Sequence, residues 1–177
     1  MPDYTALLSI FSKDRVGLIS LVTGHLFDRG INLGDTSFVR LGDGGKISSI
    51  IEIPADVTED TLKEELLSLP GLAEADIDLR PLRSVNATTP PVEATHDILC
   101  EGQDQPGLLA RLSEVFNDFD ANIVRLESDQ VVTESGTKFV TTLSVNIPDR
   151  RAANCLATLA NTAESLGQSL TFTPADI

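Results

Sequence analysis

The hydrophobic positions in the first half of the chain follow two different periods. Residues 4–11 (YTALLSIF) are mostly apolar and predict a strand, whereas residues 15–29 predict a helix. Four apolar side chains recur in that helix at the i, i+3 and i+4 spacing: Leu18, Ile19, Val22 and Leu26. Residues 31–41 and 46–54 flank the turn-forming sequence LGDGGK (41–46) and predict a β-hairpin.

A second helix and a last strand complete this half. The helix spans about 58–68 and opens at Thr58, whose hydroxyl can cap it. Residues 74–82 predict the strand, with its apolar face formed by Ala75, Ile77 and Leu79. The second half repeats the order as strand 95–101, helix 106–119, hairpin 121–147, helix 149–166 and strand 168–173. Its first helix carries a similar apolar set: Leu108, Leu109, Leu112, Val115, Phe116 and Phe119.

Three short motifs show that the two halves are copies of one domain. DRVGL (14–18) recurs as DQPGL (104–108), and GINL (30–33) corresponds to DANI (120–123) at the same spacing. IEIP (51–54) then corresponds to VNIP (145–148) at a spacing four residues longer. We place the extra residues in the second hairpin, where QVVTESGTK (130–138) replaces the shorter turn of the first.

The two copies are joined by RSVNATTPPVEA (83–94), which contains two prolines and no apolar periodicity. This predicts domain 1 at 1–83, a linker at 84–94 and domain 2 at 95–177. Each domain has the order βαββαβ with its helices on one face of the sheet. The predicted fold is therefore α+β, with two ferredoxin-like domains in tandem.

The net charge of −14 argues against several partners. Both halves are acidic, so we expect neither direct nucleic-acid binding nor attachment to an anionic membrane. Cys100 and Cys155 have no CxxC or Cys/His spacing and are expected to be reduced core residues, with no metal or other cofactor. No secretion signal or membrane-spanning stretch is recognised, which predicts a cytoplasmic protein.

The first strand–helix turn offers binding chemistry in both copies. Asp14 is expected to cap the helix, and Gly17, at about the third helical position, leaves the backbone N–H groups open to a ligand carboxylate. Asp104 and Gly107 repeat this pattern, with Pro106 in the first turn. The same residues are also an ordinary way to begin a helix that packs on a sheet, so this pattern alone does not decide between the two roles.

Asn32 and Asn122 each open the second strand of their copy. Gly30 precedes the first and is expected in the left-handed conformation, and Asp120 takes its place in the second copy. The asparagines could bind a ligand or only satisfy the turn at the helix exit.

DRVGL followed by GIN, inside a βαββαβ repeat of this length, resembles the ACT domain, a small module that commonly binds amino acids and regulates metabolic proteins. The resemblance covers nearly the whole chain outside the linker. It implies a ligand site at a domain–domain interface. In domain 1 the implied residues are Asp14, Arg15, Val16, Gly17, Leu18 and Asn32. In domain 2 they are Asp104, Gln105, Pro106, Gly107, Leu108 and Asn122, where Asp120 and Ala121 depart from the usual pattern.

The resemblance implies an amino-acid-sensing regulator and no enzyme. A small amino acid such as glycine or serine would place its carboxylate on the helix N-terminus and its polar groups on the asparagine. The regulated partner would be another protein, such as a transcription regulator, and the chain could form a homodimer through its edge strands.

Several alternatives use the same fold. A ligand-free protein-interaction module requires only the surfaces of the domains. An acylphosphatase-like enzyme would use Arg15 and Asn32, but Gln105 replaces the arginine in copy two and the glycine-rich phosphate loop is missing. RNA binding would need exposed aromatic residues and a basic surface, and a metallochaperone would need CxxC. His25 and His96 are expected on a helix surface and on a strand, with no catalytic role.

Overall fold

A computed structural model describes residues 4–82, 92–103, 106–133 and 136–175. The chain separates into two compact units, Met1–Thr89 and Pro90–Ile177. Most of the predicted linker 84–94 lies outside the described residues, so the predicted domain bounds remain a prediction.

Domain 1 has the predicted βαββαβ order. Its elements are β1 (Tyr4–Lys13), α1 (Leu18–Asp28), β2 (Asn32–Leu41), β3 (Gly44–Ile53), α2 (Glu59–Ser68) and β4 (Asp76–Pro81). The four strands form one antiparallel sheet in the order β2-β3-β1-β4. Gly17 begins α1 and Asn32 opens β2 after that helix ends, so the two candidate binding regions lie at opposite ends of α1.

Domain 2 repeats this arrangement. Its elements are β5 (His96–Gly102), α3 (Leu108–Asp118), β6 (Asn122–Thr133), β7 (Gly136–Asn146), α4 (Asp149–Ser165) and β8 (Gln168–Pro174). The sheet order is β6-β7-β5-β8, again antiparallel. The predicted α+β fold with two ferredoxin-like domains is therefore confirmed.

The extra residues of the second hairpin lengthen its strands. In domain 1 the hairpin closes where Leu41 pairs with Gly44, whereas in domain 2 it closes where Thr133 pairs with Gly136. Gln130 pairs with Phe139 in this added part of the ladder. The insertion at 130–138 thus falls where the sequence predicted, although most of it continues the strands.

Each domain buries its own apolar core between the helices and one face of the sheet. In domain 1, Leu8 and Ile10 of β1 pack with Val22 and Leu26 of α1. The corresponding core of domain 2 contains Ile98, Cys100, Leu112 and Phe116. Burying these side chains supplies most of the favourable free energy of folding, since the removal of apolar surface from water is the largest favourable contribution.

Two residues predicted on the apolar helix faces are exposed instead. Ile19 keeps 46% of its surface and Leu109 keeps 38%. Successive residues of a helix are rotated by about 100°, so with Leu18 and Leu108 turned into the core their following neighbours turn outward. Both exposed side chains lie beside the first strand–helix turn of their domain.

The helices begin later than the periodicity predicted. α1 begins at Leu18 rather than 15, and α3 begins at Leu108 rather than 106. Gly17 and Gly107 occupy the N-cap positions with φ values of 85° and 90°. This left-handed conformation strains residues that carry a Cβ atom, which explains why glycine begins the helix in both copies. The predicted cap at Thr58 is confirmed, since Thr61 N donates to its Oγ1 over 3.2 Å.

Candidate functional site

The turn between β1 and α1 presents backbone donors at the start of the helix. Leu18 N–H donates to Arg15 O and Leu21 N–H to Gly17 O, at 3.3 and 2.9 Å. Ile19 and Ser20 lie between them in the first turn, where N–H groups have no acceptor within the helix. With no side chain at Gly17, these N–H groups can be approached by an anionic group such as a carboxylate.

A cavity of about 540 Å³ lies over this turn. It is lined by Asp14, Arg15, Gly17, Leu18, Ile19, Ser20, Thr23 and Phe38. Four of the five turn residues predicted as binding residues are in this lining. The fifth, Val16, is fully exposed to solvent beside the cavity.

Asp14 does not cap the helix, so that prediction is wrong. No side chain caps α1, and the Asp14 carboxylate instead lies 2.9 Å from the Nε atom of Arg40. The backbone N–H of Asp14 donates to Asp43 O over 2.9 Å. Three residues separate Asp14 from the first helical residue, so its carboxylate does not occupy the helix start. Asp14 instead links the turn to the β2–β3 hairpin.

Arg15 is turned toward the connection between α2 and β4. Its Nη2 group donates to the Pro70 carbonyl. Gly71 lies directly beneath the guanidinium, where an added Cβ would be 2.9 Å from Arg15 Cζ. The guanidinium therefore supports the turn from the α2–β4 side, and Arg15 is also part of the cavity lining.

The matching turn of domain 2 also carries a cavity, of about 380 Å³. It is lined by Pro106, Gly107, Leu108, Leu109, Ala110, Ser128, Phe139 and Thr141. Asp104 and Gln105, also predicted as binding residues, lie outside the described residues. The prediction of Pro106 in the first turn of the helix is wrong, because Gly107 is the N-cap and Pro106 precedes it.

Each domain has a pair of neighbouring hydroxyl groups on adjacent strands of its sheet, and in domain 2 this pair lies at the turn. Ser128 Oγ and Thr141 Oγ1 are 2.5 Å apart in domain 2, and both residues line its cavity. Thr36 Oγ1 and Ser49 Oγ form a similar pair in domain 1, 2.7 Å apart, but at another place in the ladder, because Phe38 and Ile47 are the counterparts of Ser128 and Thr141. The sequence reasoning missed both pairs, because no motif marks them and only the strand register brings them together.

Domain 2 braces its turn with a residue that sequence reasoning also missed. Gln168, at the start of β8, is 5% exposed, and its Nε2 donates to Gln103 O over 2.6 Å. Gly102 leaves the space for this side chain, since a Cβ there would collide with the Gln168 amide. The residue has no counterpart in the predicted motif, so only the pairing of β5 with β8 identifies it.

The two asparagines open their strands as predicted, but each lies far from the turn of its own domain. Asn32 follows the C-terminal end of α1, and Gly17 begins that helix. Eleven helical residues separate them, which corresponds to about 16 Å along the axis. Asn122 and Gly107 are separated by α3, which is also 11 residues long. Within a single domain the structure therefore does not bring the two parts of the predicted site together.

The helix exits before the asparagines adopt the predicted conformation. Gly30 has φ 69° and Asp120 has φ 52°. Among the described residues Asp120 is the only non-glycine residue with positive φ. Its carboxylate also lies 2.9 Å from Arg151 Nη1, so the aspartate at this position has a structural role.

Asn32 lines a second cavity of domain 1, of about 300 Å³. The other residues around it are Tyr4, Thr5, Gly30, Glu52, Ile53 and Pro54. The Nδ2 group of Asn32 donates to Glu52 Oε2 over 3.2 Å across the β2–β3 pair. Sequence reasoning did not identify Glu52. In domain 2 the partner of Asn122 in the ladder is Asn146.

The histidines and cysteines have structural surroundings. His25 was expected on a helix surface, but it is half-buried and its Nε2 lies 3.1 Å from Glu65 Oε2 of α2. His96 lies on β5 as predicted. Cys100 and Cys155 are free and buried, as predicted, and burial raises the pKa of both thiols. The negative charge of Glu101 raises the pKa of Cys100 further.

No group of three or more His, Cys, Asp or Glu side chains that could hold a metal ion occurs in the described part of the chain. Over the same residues, no helix is long and apolar enough to cross a membrane.

Comparison with known proteins finds a family match in domain 2 and relatives of low identity over much of the chain. The ACT domain family model matches residues 96–154, which is most of domain 2. Over 122 residues the chain is 27% identical to the glycine cleavage system transcriptional repressor of Escherichia coli (strain K12). The same values hold for the repressor of Shigella flexneri. These alignments cover 69% of this chain but 63% of each repressor, so the match spans less than two thirds of the relatives' length.

Two crystal structures share the fold over nearly the full chain. An unknown protein from Galdieria sulphuraria is 20% identical with a TM-score of 0.73, covering 98% of this chain and 99% of its own. A candidate glycine cleavage system transcriptional repressor is 15% identical with a TM-score of 0.67, covering 99% of both chains. Residues 96–154 thus match the ACT domain family, both domains have the same ACT-like fold, and the chain resembles the glycine cleavage system transcriptional repressor.

Proposed function

We propose that this chain is a regulatory protein that binds a small amino acid and acts through a protein partner, without catalysing a reaction. The observation that carries the proposal is the repeated turn, in which a left-handed glycine begins a helix beneath a cavity in both domains. An enzyme would need acids, bases or nucleophiles converging on a cavity. Around these two turns the lining offers backbone N–H groups, hydroxyls and apolar side chains, together with Asp14 and Arg15, which are paired elsewhere.

The chemistry of the turn suits the carboxylate of an amino acid. The open N–H groups of Ile19 and Ser20 and the positive end of the helix dipole favour a negative charge. Because Asn32 is at the opposite end of α1, a ligand held on this turn cannot also reach the asparagine of the same domain.

Regulation would follow from differential affinity. An amino acid that binds one arrangement of the protein more tightly than another shifts the equilibrium between them by that difference and no more. The net charge of −14 disfavours direct contact with nucleic acid or an anionic membrane. A separate protein, such as a transcription regulator, would read the arrangement. We place this activity in the cytoplasm, where the two buried free thiols would stay reduced.

A second candidate function is a ligand-free interaction module. It is favoured by edge strand β6, which exposes apolar side chains along its length: Val124, Leu126, Val131 and Val132. An exposed edge with apolar side chains can add a strand from a partner.

Thermal unfolding with single amino acids at millimolar concentration distinguishes these functions. A ligand at 100 times its Kd stabilises the native state by about 2.7 kcal/mol. For a chain of this size, that corresponds to a rise in Tm of roughly 5–10 °C if unfolding is two-state. A rise limited to one or two small amino acids, lost in Gly17→Leu or Asn32→Ala, supports sensing. If no amino acid changes Tm, the interaction module is favoured and partner capture becomes the next experiment.

A further inference from the structure

Three polar side chains form a row across one end of the domain 1 sheet. Asn32 of β2 and Thr5 of β1 both pair with Glu52 of β3 in the strand register. Ile51 and Ile53 on either side of Glu52 are buried in the core. Since side chains alternate along a strand, the row lies on the face of the sheet opposite the helices, and all three of its residues line the cavity of about 300 Å³.

The Glu52 carboxylate determines which atoms of this row donate and which accept hydrogen bonds. An ionised carboxylate can only accept hydrogen bonds, so the amide nitrogen of Asn32 must be the group that faces Glu52 Oε2. This leaves Asn32 Oδ1 and the second oxygen of Glu52 as acceptors. A primary ammonium group has three donors and no acceptor, so it complements this row. A ligand carboxylate would meet a group of its own sign.

The rest of the cavity does not offset the negative charge. Glu52 is the only charged residue among the seven that line it. Burial raises the pKa of the Tyr4 hydroxyl, and the negative charge of Glu59 raises it further, so this lining side chain stays neutral. Among the described residues of this lining, the face that carries the row therefore presents one carboxylate, with no basic side chain in the lining, next to the Asn32 carbonyl and the Thr5 hydroxyl.

Domain 2 lacks this charge at the matching position. Asn146 pairs with Asn122 where Glu52 pairs with Asn32. The Nδ2 of Asn146 donates to the Glu93 carbonyl over 2.7 Å. The two copies therefore differ in what they can recognise at this end of the sheet.

From these observations we propose that Asn32 and Glu52 bind the ammonium group of the ligand, with Glu52 as its counter-ion, and that domain 1 alone provides this charge. The inference deepens the proposed function and rests on it for the identity of the ligand as an amino acid. The Asn32 end of domain 1 would select for the amine of the ligand. A ligand without an amino group would lose this contact.

Nuclear magnetic resonance titration of the full chain tests the site directly. The probes are methylammonium, acetate and glycine, and the readout is the side-chain amide resonance of Asn32. We expect methylammonium and glycine to shift it in a saturable manner and acetate at the same concentration to leave it unchanged. Glu52→Gln should raise the Kd for methylammonium by about threefold to fivefold, as expected when an exposed charge partner is lost. Glu52→Asp should retain more binding than Glu52→Gln.

Glu64→Gln is the matched control, because it removes the same charge from an exposed position on α2 outside the cavity. It should leave both titrations unchanged. If methylammonium fails to shift Asn32, or if Glu52→Gln binds it as well as the unmodified chain, the inference is overturned even when an amino acid raises Tm. If methylammonium binds through Glu52 while no amino acid stabilises the protein, the ammonium site stands and the proposed function fails.

Discussion

Gly17 and Asn32 lie at opposite ends of α1, with the whole 11-residue helix between them. The two residues were expected to contribute to one binding site, yet a ligand the size of glycine cannot bridge about 16 Å. Each domain therefore carries two separate polar regions, one at the helix start and one at the helix exit. This separation allows the contribution of each region to be measured with its own variants.

The first prediction concerns the helix start. Gly17→Leu should abolish amino-acid binding, because the new side chain stands beside the open N–H groups, and it should destabilise the chain by about 1–2 kcal/mol since φ is 85°. Gly24→Leu adds the same side chain within α1, where an added Cβ has no heavy atom within 4 Å, and should retain binding. Calorimetric titration of both variants checks this. Normal binding by Gly17→Leu would contradict the assignment.

Arg15 has two candidate roles at this turn, which are contact with the ligand and support of the turn itself. The resemblance implies contact with the ligand, whereas the structure turns its guanidinium to the Pro70 carbonyl. We expect Arg15→Ala to change the Kd by less than about fivefold, since a solvent-exposed contact contributes up to about 1 kcal/mol. A loss of binding as large as that of Gly17→Leu would show that Arg15 leaves Pro70 to contact the ligand.

The order of strands and helices along the chain was predictable because the hydrophobic periods change clearly at each junction. The start of α1 was not. Asp14 was expected to cap the helix from its sequence position, but the actual N-cap is Gly17, which has no side chain to bond with the helix. Hydrophobic periodicity indicates which residues face the core but carries no information on φ. It therefore could not show that α1 begins after a left-handed glycine, and the predicted helix started three residues before the observed one.

Glu52 could not be found from the hairpin turn alone. The pairing of Leu41 with Gly44, extended without interruption, would place Asn32 opposite Ile53. A bulge between Leu33 and Thr36 shifts the register by one residue, so that Asn32 meets Glu52. A one-residue shift exchanges the two faces of a strand. The charge beside Asn32 therefore depends on an irregularity that the sequence pattern did not reveal.

Replacing Gly17 and Gly24 with alanine should change the stability of the chain in opposite directions. Gly24 is exposed in the middle of the helix, and an added Cβ would meet no heavy atom within 4 Å. We expect Gly24→Ala to stabilise the chain by about 0.5–1 kcal/mol, because glycine is the more costly residue within a helix. Gly17→Ala has the same open space but a φ of 85°, and should destabilise it. Urea unfolding measures both, and the same sign for the two variants would contradict the assigned backbone conformation.

Gln168 should be needed to hold the β5–α3 connection. Gln168→Ala removes a buried donor and leaves Gln103 O without its 2.6 Å partner, so we expect a loss of about 1–3 kcal/mol in unfolding free energy. Gln168→Glu keeps the size but replaces the donating amide with an acceptor, and should not restore stability at neutral pH. Hydrogen exchange should accelerate at the backbone amides of Gly107 and Leu108 in both variants. Unchanged stability and exchange in Gln168→Ala would show that the hydrogen bond does not brace the turn.

The buried thiols give the chain a defined dependence on pH. Burial raises the pKa of Cys100 and Cys155 in the folded state, so both stay protonated where an exposed thiol would ionise, above about pH 8.5. The unfolded chain then binds fewer protons than the native one, and the free energy of unfolding should fall as pH rises beyond this value. In the native chain, a thiol reagent at pH 8 should modify the cysteines only as fast as local unfolding exposes them. In urea it should modify both cysteines rapidly. Cys100→Ala and Cys155→Ala should each reduce the fall in unfolding free energy at alkaline pH. Equal rates of thiol modification in the native and unfolded chains would contradict the burial of the thiols.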